Sequence, residues 1–179
     1  MKLLFASDIH GSAYWCERLL ERIDSEAPDK IVLCGDLLYH GPRNDLPKGH
    51  NPKEVIKMLS PLKDKIIAVR GNCEAEVDQM VLPFPVLADY TIIETGEKTL
   101  FVSHGHLFHK ENIEKIGGCD ALINGHTHVY EIEDVDGKEY VNIGSVALPK
   151  QNRENTYCIY ENGHFYIKNF DGDVLLSDK

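Results

Sequence analysis

The segment Leu3-Leu4-Phe5-Ala6-Ser7-Asp8-Ile9-His10 begins with four apolar residues and becomes polar at Ser7. A short apolar run that stops at polar residues predicts a buried strand, here with Asp8 and His10 in the loop that follows it. The next segment carries Trp15, Leu19 and Ile23 at four-residue spacing, with charged residues between them. That spacing predicts an amphipathic helix laid on a sheet.

The strand-loop pattern recurs twice in the first half of the chain. Ile31 to Cys34 predicts a strand ending at Gly35-Asp36, and Ile66 to Val69 predicts one ending at Gly71-Asn72. Asn51 is a helix-capping residue followed by proline, which predicts a helix from Pro52 to about Leu59 between those strands. A helical connection of this kind favours parallel strands.

The second half has a different pattern. Asp136-Gly137 and Asn162-Gly163 are turn sequences typical of hairpins. The predicted strands are Tyr90 to Glu94, Thr99 to Ser103, Ala121 to Asn124, Tyr140 to Ile143, Tyr157 to Tyr160 and Phe165 to Asn169. We therefore expect an α/β protein in which residues 1–179 form one domain of two packed sheets flanked by helices.

Composition narrows the functional classes. The chain has 42% hydrophobic and 27% charged residues and a formal net charge of −10, which is unfavourable for stable binding to nucleic acid or to an anionic membrane. A small phosphate substrate remains compatible, because metal ions reverse the field locally. The five cysteines are widely spaced, with no Cys-x-x-Cys pair, which is typical of a reduced, cytoplasmic protein.

Five motifs carry residues suited to metal chemistry, and each follows an apolar strand. Carboxyl ends of strands in α/β sheets form the usual ligand crevice, so the motifs should converge. They are Asp8-Ile9-His10, Gly35-Asp36, Gly71-Asn72-Cys73-Glu74, His104, and Gly125-His126-Thr127-His128. In Asp8-x-His10 and His126-x-His128, an extended backbone would direct both side chains to one side, so each pair is expected to bind one centre.

All the candidate ligands are oxygen or imidazole donors, which suit manganese, iron, zinc and similar divalent ions. Seven ligands exceed the need of one ion, so we expect two metals sharing Asp36. The seven are Asp8, His10, Asp36, Asn72, His104, His126 and His128. Two divalent ions leave excess positive charge beside two aspartates. A bridging hydroxide, acting as nucleophile, and a phosphoryl oxygen would balance it.

In these motifs the sequence resembles the calcineurin-like metallophosphoesterases, and within them the small YfcE-type phosphodiesterases. The likeness extends through Asp36 to Asn44 and Asn142 to Ser145. It implies a four-layer α/β/β/α sandwich of two mixed sheets and a binuclear centre often assayed with Mn²⁺, with Zn²⁺, Fe²⁺, Ni²⁺ and Mg²⁺ as alternatives. It further implies one metal on Asp8, His10 and His128, a second on Asn72, His104 and His126, and Asp36 as the bridge.

Three further residues are candidates for work on the substrate. Larger members of the family have histidine where this chain has Cys73, so Cys73 is either a catalytic residue of the subfamily or a small filler. His106 either assists the leaving group or orients a ligand. Arg43, in a long irregular loop, either binds phosphate or lies in solvent. The expected catalytic set is Asp36, Asn72, Cys73 and His106.

The sequence therefore predicts a phosphodiesterase that hydrolyses small phosphodiesters through a metal-bridging hydroxide. One alternative is a protein-interaction scaffold of the same fold, such as the retromer subunit that resembles these enzymes. The complete ligand set argues against it. The other is a phosphomonoesterase or phosphoprotein phosphatase, which the missing leaving-group histidine disfavours. Oligomeric state stays open, with a homo-oligomer possible.

Overall fold

The first half of the chain alternates strands with helices. The computed structural model describes residues 1–179. Its first elements are β1 (Leu3–Ala6), α1 (Ala13–Glu26), β2 (Lys30–Leu33), α2 (Pro52–Leu59) and β3 (Ile66–Ala68). β1 pairs with β2, and β2 with β3, in parallel. The predicted strand-helix-strand units are thus confirmed, with strand ends displaced by one residue.

The second half is mostly strands. Its elements are α3 (Glu76–Val81), β4 (Tyr90–Glu94), β5 (Thr99–Ser103), β6 (Ala121–Asn124), β7 (Glu131–Val135), β8 (Lys138–Asn142), β9 (Thr156–Glu161), β10 (His164–Asn169) and β11 (Val174–Ser177). One sheet has the order β11-β10-β9-β1-β2-β3 and the other β4-β5-β6-β8-β7. Both mix parallel and antiparallel pairs, as the predicted fold requires.

Three apolar clusters separate the layers of the molecule. The cluster between the sheets contains residues of both, such as Phe5 and Val32 of one sheet and Val102 and Ile123 of the other. A second cluster packs α1 and α2 on the outer face of the first sheet. The third covers the outer face of the second sheet with a 3₁₀ segment, Lys110–Lys115. The predicted four-layer order is confirmed, although its last layer is this short 3₁₀ segment.

Local signals explain the ends of the helices. Ser12 Oγ accepts the backbone N–H of Trp15 at 3.2 Å and starts α1. Asn51 Oδ1 accepts the N–H of Glu54 at 3.4 Å at the start of α2. Since the first turn of a helix leaves N–H groups without partners, these side-chain acceptors fix where each helix begins.

Sequence patterns missed α3, β7 and β11. β7, Glu-Ile-Glu-Asp-Val, is mostly charged because it is the edge strand of its sheet, paired only with β8. Its hairpin turn, Asp136-Gly137, was nevertheless predicted and is present. Among the helices, none combines the length and apolar character needed to cross a membrane.

Candidate metal centre

The candidate ligands lie in loops at the carboxyl ends of the strands, at one edge of the two sheets. Asp8 and His10 follow β1, Asp36 follows β2, and Asn72 follows β3. The other three histidines of the set follow the parallel strands β5 and β6 of the second sheet. Convergence of the five motifs, inferred from the sequence, is therefore what the structure has.

One group of donors is deeply buried. It consists of Asp8, His10 and His128, each at most 3% exposed. The Nε2 atoms of His10 and His128 are 3.3 Å apart. Asp8 Oδ1 lies 3.4 Å from Nε2 of His10 and 3.1 Å from Nε2 of His128. Three ligand atoms within such distances form a compact potential metal site.

The second group is more open. His104 is buried, whereas His126 is half-buried and Asn72 is exposed. Nε2 of His104 lies 3.1 Å from Oδ1 of Asn72 and 3.2 Å from Nδ1 of His126. An amide oxygen and a second ring nitrogen therefore lie within 3.2 Å of Nε2 of His104.

Asp36 stands between the two groups. Its Oδ2 lies 3.7 Å from Nε2 of His10, in the buried group. Its Oδ1 lies 3.5 Å from Nε2 of His104, in the open group. The backbone N–H of Cys73 donates to Oδ1 at 2.9 Å and fixes the carboxylate plane. One carboxylate thus faces both groups with different oxygens.

Backbone carbonyls determine which nitrogen of each buried ring is free. The Nδ1–H groups of His10, His104 and His128 donate to the carbonyls of Tyr39, Cys34 and Leu148, at 2.8, 2.7 and 2.5 Å. A neutral imidazole that donates from Nδ1 has its lone pair on Nε2. All three lone pairs therefore point into the cluster, the arrangement expected of metal-binding histidines.

The buried group fits a cation. Oδ1 of Asp8 is buried and accepts no hydrogen bond, an arrangement that costs free energy unless a positive charge satisfies the oxygen. The facing Nε2 lone pairs of His10 and His128 repel each other unless an electrophile lies between them. The chemistry of these donors matches a divalent metal.

The backbone differs from the predicted extended conformation. Five of the ligand positions have left-handed φ between 50° and 65°: Asp8, His10, Asp36, His126 and His128. The expected grouping of His126 with His128 is consequently wrong, since His126 contacts His104 while His128 contacts Asp8. The family resemblance implied a different grouping, with His128 beside Asp8 and His126 beside His104, and the contacts in the structure agree with that grouping. Such strained backbone is concentrated at functional sites.

Glu74 organises the site without facing its centre. Its carboxylate accepts three backbone N–H groups, from Asp36 at 2.8 Å, Leu37 at 2.7 Å and Gly71 at 2.6 Å. Burial and the Asp36 carboxylate raise the pKa of Glu74 to about 7, against the opposing effect of those donors. Glu74 thus ties the loop after β2 to the loop after β3. The motif contained Glu74, but no sequence pattern indicated this role.

Gly71 is required by the same close approach of loops. A Cβ atom built on Gly71 would collide with Oδ1 of Asp36 and lie 2.8 Å from Oε2 of Glu74. Only glycine lets the β3 loop lie against the Asp36 carboxylate.

The remaining predicted residues surround the cluster. The Cys73 side chain receives a 3.3 Å contact from the Asn72 amide nitrogen, and burial together with Asp36 raises the pKa of its thiol well above the usual value. His106 lies outside both groups, with its ring centre 5.4 Å from the ring centre of His104. The His106 side chain lines another cavity, which His126 also lines. Arg43 lines a cavity of about 370 Å³ that opens over the ligands.

That central cavity contains a residue that sequence reasoning missed. Its walls have no hydrophobic side chain, and Lys150 joins Arg43 as a second cation. The Lys150 backbone N–H donates to the His128 carbonyl at 3.1 Å, so the lysine is attached directly to a ligand loop. Lys150 lies 22 residues beyond His128, and no motif connects the two.

Comparison with known proteins gives a consistent picture. The profile of the Calcineurin-like phosphoesterase superfamily domain matches residues 1–163. Phosphodiesterase YfcE of Escherichia coli strain K12 is 44% identical over 162 residues, covering 90% of this chain and 88% of that protein. The solved structure of YfcE, described as a phosphoesterase from E. coli, superposes with a TM-score of 0.94 at 40% identity, over 99% of this chain and 98% of that one.

A more distant likeness concerns the fold alone. Vacuolar Protein Sorting 29 from Cryptosporidium parvum superposes with a TM-score of 0.65 at 17% identity, over 93% of this chain and 88% of that one. The fold is thus shared by proteins with different names, so the ligand geometry must carry the functional argument.

Proposed function

The chain belongs to the calcineurin-like phosphoesterase superfamily, and on that premise we propose that it is a binuclear metal-dependent phosphodiesterase acting on small phosphodiesters. The observation that carries the proposal is the position of Asp36, whose two oxygens face two separate donor groups at 3.7 and 3.5 Å. The 44% identity to a protein named phosphodiesterase over 90% of the chain supports the diester as substrate.

Each metal has its own ligands in this proposal. Asp8, His10 and His128 hold the buried metal, and Asn72, His104 and His126 hold the open one, with Asp36 shared. Oxygen and neutral imidazole donors favour Mn²⁺, with Zn²⁺, Fe²⁺, Ni²⁺ and Mg²⁺ as alternatives. Burial and the neighbouring His104 lower the pKa of His126 to about 4, which keeps this ring neutral and able to bind a metal near neutral pH.

When bound, two such metals polarise a phosphoryl oxygen and supply a hydroxide nucleophile near neutral pH. The chain's own residues then orient the substrate. Arg43 offers a planar guanidinium to the phosphate from the cavity wall. His106, beside the open group, is the side chain placed to assist the leaving oxygen. Burial and the neighbouring His104 lower the pKa of its ring, so His106 is a candidate proton donor whose protonated fraction is small near neutral pH. Cys73 is a poor donor because its raised pKa makes proton loss from the thiol unfavourable.

The alternatives receive less support. A scaffold needs no matched ring tautomers, yet His10, His104 and His128 all turn Nε2 inward. A phosphomonoesterase with a poor leaving group needs a strong proton donor, and Cys73 is not one. We therefore keep the diester as the proposed substrate.

We propose that residues 1–179 act as one domain, because both sheets contribute to one central apolar cluster. A cytoplasmic location agrees with five unpaired cysteines. The net charge of −10 argues against stable nucleic-acid binding. A homo-oligomer remains compatible with the proposal.

The proposal is tested with protein stripped of metal by a chelator and verified to be metal-free. Bis(p-nitrophenyl) phosphate should not be hydrolysed until Mn²⁺ is added, and p-nitrophenyl phosphate should be the slower substrate afterwards. Full activity without metal would refute a metal mechanism. Faster hydrolysis of the monoester would point to a phosphomonoesterase, and absence of any hydrolysis with two bound metals would favour the scaffold.

A further inference from the structure

A tight turn brings the backbones of Lys150 and Arg153 together beside the candidate metal centre. Gln151 and Asn152 both have left-handed φ, at 55° and 57°, and the N–H of Arg153 donates to the carbonyl of Lys150 at 3.1 Å. Positive φ at both central positions with this hydrogen bond is the geometry of a type I′ turn. Its first and fourth residues, here Lys150 and Arg153, lie close together by definition.

The turn is attached to the centre through His128. The ring Nδ1–H of His128 donates to the Leu148 carbonyl at 2.5 Å, and the His128 carbonyl accepts the N–H of Lys150 at 3.1 Å. At the other end, the Asn155 side chain donates to the Val146 carbonyl at 2.8 Å. The turn is therefore held at a fixed place relative to a ligand of the buried group.

Lys150 stands where two cavities meet. It lines the central cavity of about 370 Å³ over the ligands, and also a neighbouring cavity of about 440 Å³ that contains Arg153. Thr127 is the other residue common to both. A molecule whose phosphate lies over the ligands can thus extend past Lys150 into the second cavity.

The second cavity favours an anion. The chain's lysine and arginine ion pairs are all made by other residues, so Lys150 and Arg153 are free of carboxylates. Arg153 stacks on the Tyr130 ring, with 4.4 Å from its guanidinium carbon to the ring centre. The one acid of this cavity, Glu131, receives a hydrogen bond from Lys110 at 3.0 Å. The cationic charge is therefore not neutralised locally.

From this arrangement we infer that the substrate is a phosphodiester whose retained alcohol arm carries a second anionic group, a phosphate or a carboxylate, bound by Lys150 and Arg153. The inference rests on the proposed function. The retained arm is assigned because His106, the candidate leaving-group donor, lines a different cavity from Lys150. The leaving alcohol and the second anion thus lie in different cavities, which adjoin at Thr127 and Glu131.

The kinetic test uses p-nitrophenyl phosphodiesters that release the same leaving group and differ in the other arm. The arms are 2-methoxyethyl, which is neutral, and 2-carboxyethyl and 2-phosphonoethyl, which are anionic. Wild type should prefer one or both anionic arms by about 10–100-fold in kcat/KM, the range of a charged hydrogen bond. The preferred anionic arm distinguishes a carboxylate from a phosphate.

Lys150→Gln and Arg153→Gln should each lower the ratio of anionic-arm to neutral-arm kcat/KM, and the double variant should abolish the preference. Lys63→Gln is the matched control, because it removes one charge from an exposed lysine that does not line either cavity. Equal ratios in wild type and in the double variant would overturn the inference.

A binding measurement decides the question without hydrolysis. Calorimetry on Mn²⁺-loaded protein should give tighter binding for ethane-1,2-diphosphonate than for ethylphosphonate, with the difference lost in the double variant at unchanged metal content. If none of the three diesters is hydrolysed but this difference appears, the anion site stands and the proposed phosphodiesterase activity fails. If the two phosphonates bind equally to wild type, the anion site is refuted.

Discussion

The two donor groups of the candidate centre are alike in chemistry and different in exposure. Asp8, His10 and His128 are almost completely buried, whereas Asn72 is exposed and His126 half-buried in the other group. A buried site holds its ligands in place and excludes water, while an open site exchanges ligands with solvent. Under the proposed function, we expect the buried group to retain its metal and the open group to be the position that admits substrate.

The strongest test removes what the two groups share. Asp36→Ala should lose both metals and lower kcat/KM by more than about 100-fold, because substitution of residues that merely support a ligand already costs about 10–100-fold. Metal content by mass spectrometry under native conditions and diester hydrolysis measure the two effects. A variant that retains two tightly bound metals would contradict the bridging role of Asp36.

The next test separates the groups. Asn72→Ala should leave about one metal per chain. His10→Ala should instead lower the affinity of the buried group for its metal, the one expected to resist chelation longest. In wild type, graded chelation should therefore remove metal in two steps, with the open group emptied first. Both steps are followed by metal analysis against residual activity. Loss of both metals at one chelator concentration would remove the proposed distinction.

Glu74 tests whether the groups depend on the loops between them. Glu74→Gln keeps the shape of the side chain but turns an NH₂ group toward N–H donors, so we expect about 1.5–3 kcal/mol of lost stability and about 10–100-fold weaker metal binding. Denaturant unfolding and metal titration are the measurements. Glu76→Gln is the control, because it makes the same substitution at an exposed glutamate two positions away. If both variants behave alike, Glu74 has no positioning role.

A gain in rate, in contrast to the losses above, is expected at Cys73. If the site lacks a strong leaving-group acid, Cys73→His should accelerate diesters with basic leaving groups by part of the 10²–10⁴-fold typical of general acid catalysis. The gain should shrink as the leaving group becomes more acidic. Rates for a series of aryl phosphodiesters at equal metal occupancy measure this dependence. If the rates of wild type and variant depend equally on the pKa of the leaving group, the leaving-group proton comes from another residue, and His106 is then the first candidate.

The sequence predicted the convergence of the five motifs because the determinants of that convergence are local. A strand such as Leu3–Ala6 is a continuous apolar run, and its end marks where a ligand loop begins. Parallel neighbours then place those ends together by geometry alone. Edge strand β7 was missed because its exposed position permits charged residues, and α3 because Ala75 before it carries no capping side chain.

The residues around the centre could not be predicted in the same way. Glu74 accepts N–H groups from residues up to 38 positions away, and Lys150 depends on a turn of two non-glycine residues with positive φ. Neither arrangement leaves a periodic or compositional trace in the chain. The conformations of Asp8 and His128 were also inaccessible, since an aspartate or histidine does not by itself indicate left-handed backbone.

The left-handed backbone at five candidate ligand positions predicts how such a chain would evolve if metal binding were no longer selected. While metal binding is selected, aspartate or histidine is kept at positions 8, 10, 36, 126 and 128 despite the unfavourable conformation. Once that selection ends, glycine and asparagine relieve the backbone best. Descendants that have abandoned catalysis should therefore accumulate these two residues at those positions, which gives sequence surveys a signature distinct from random drift.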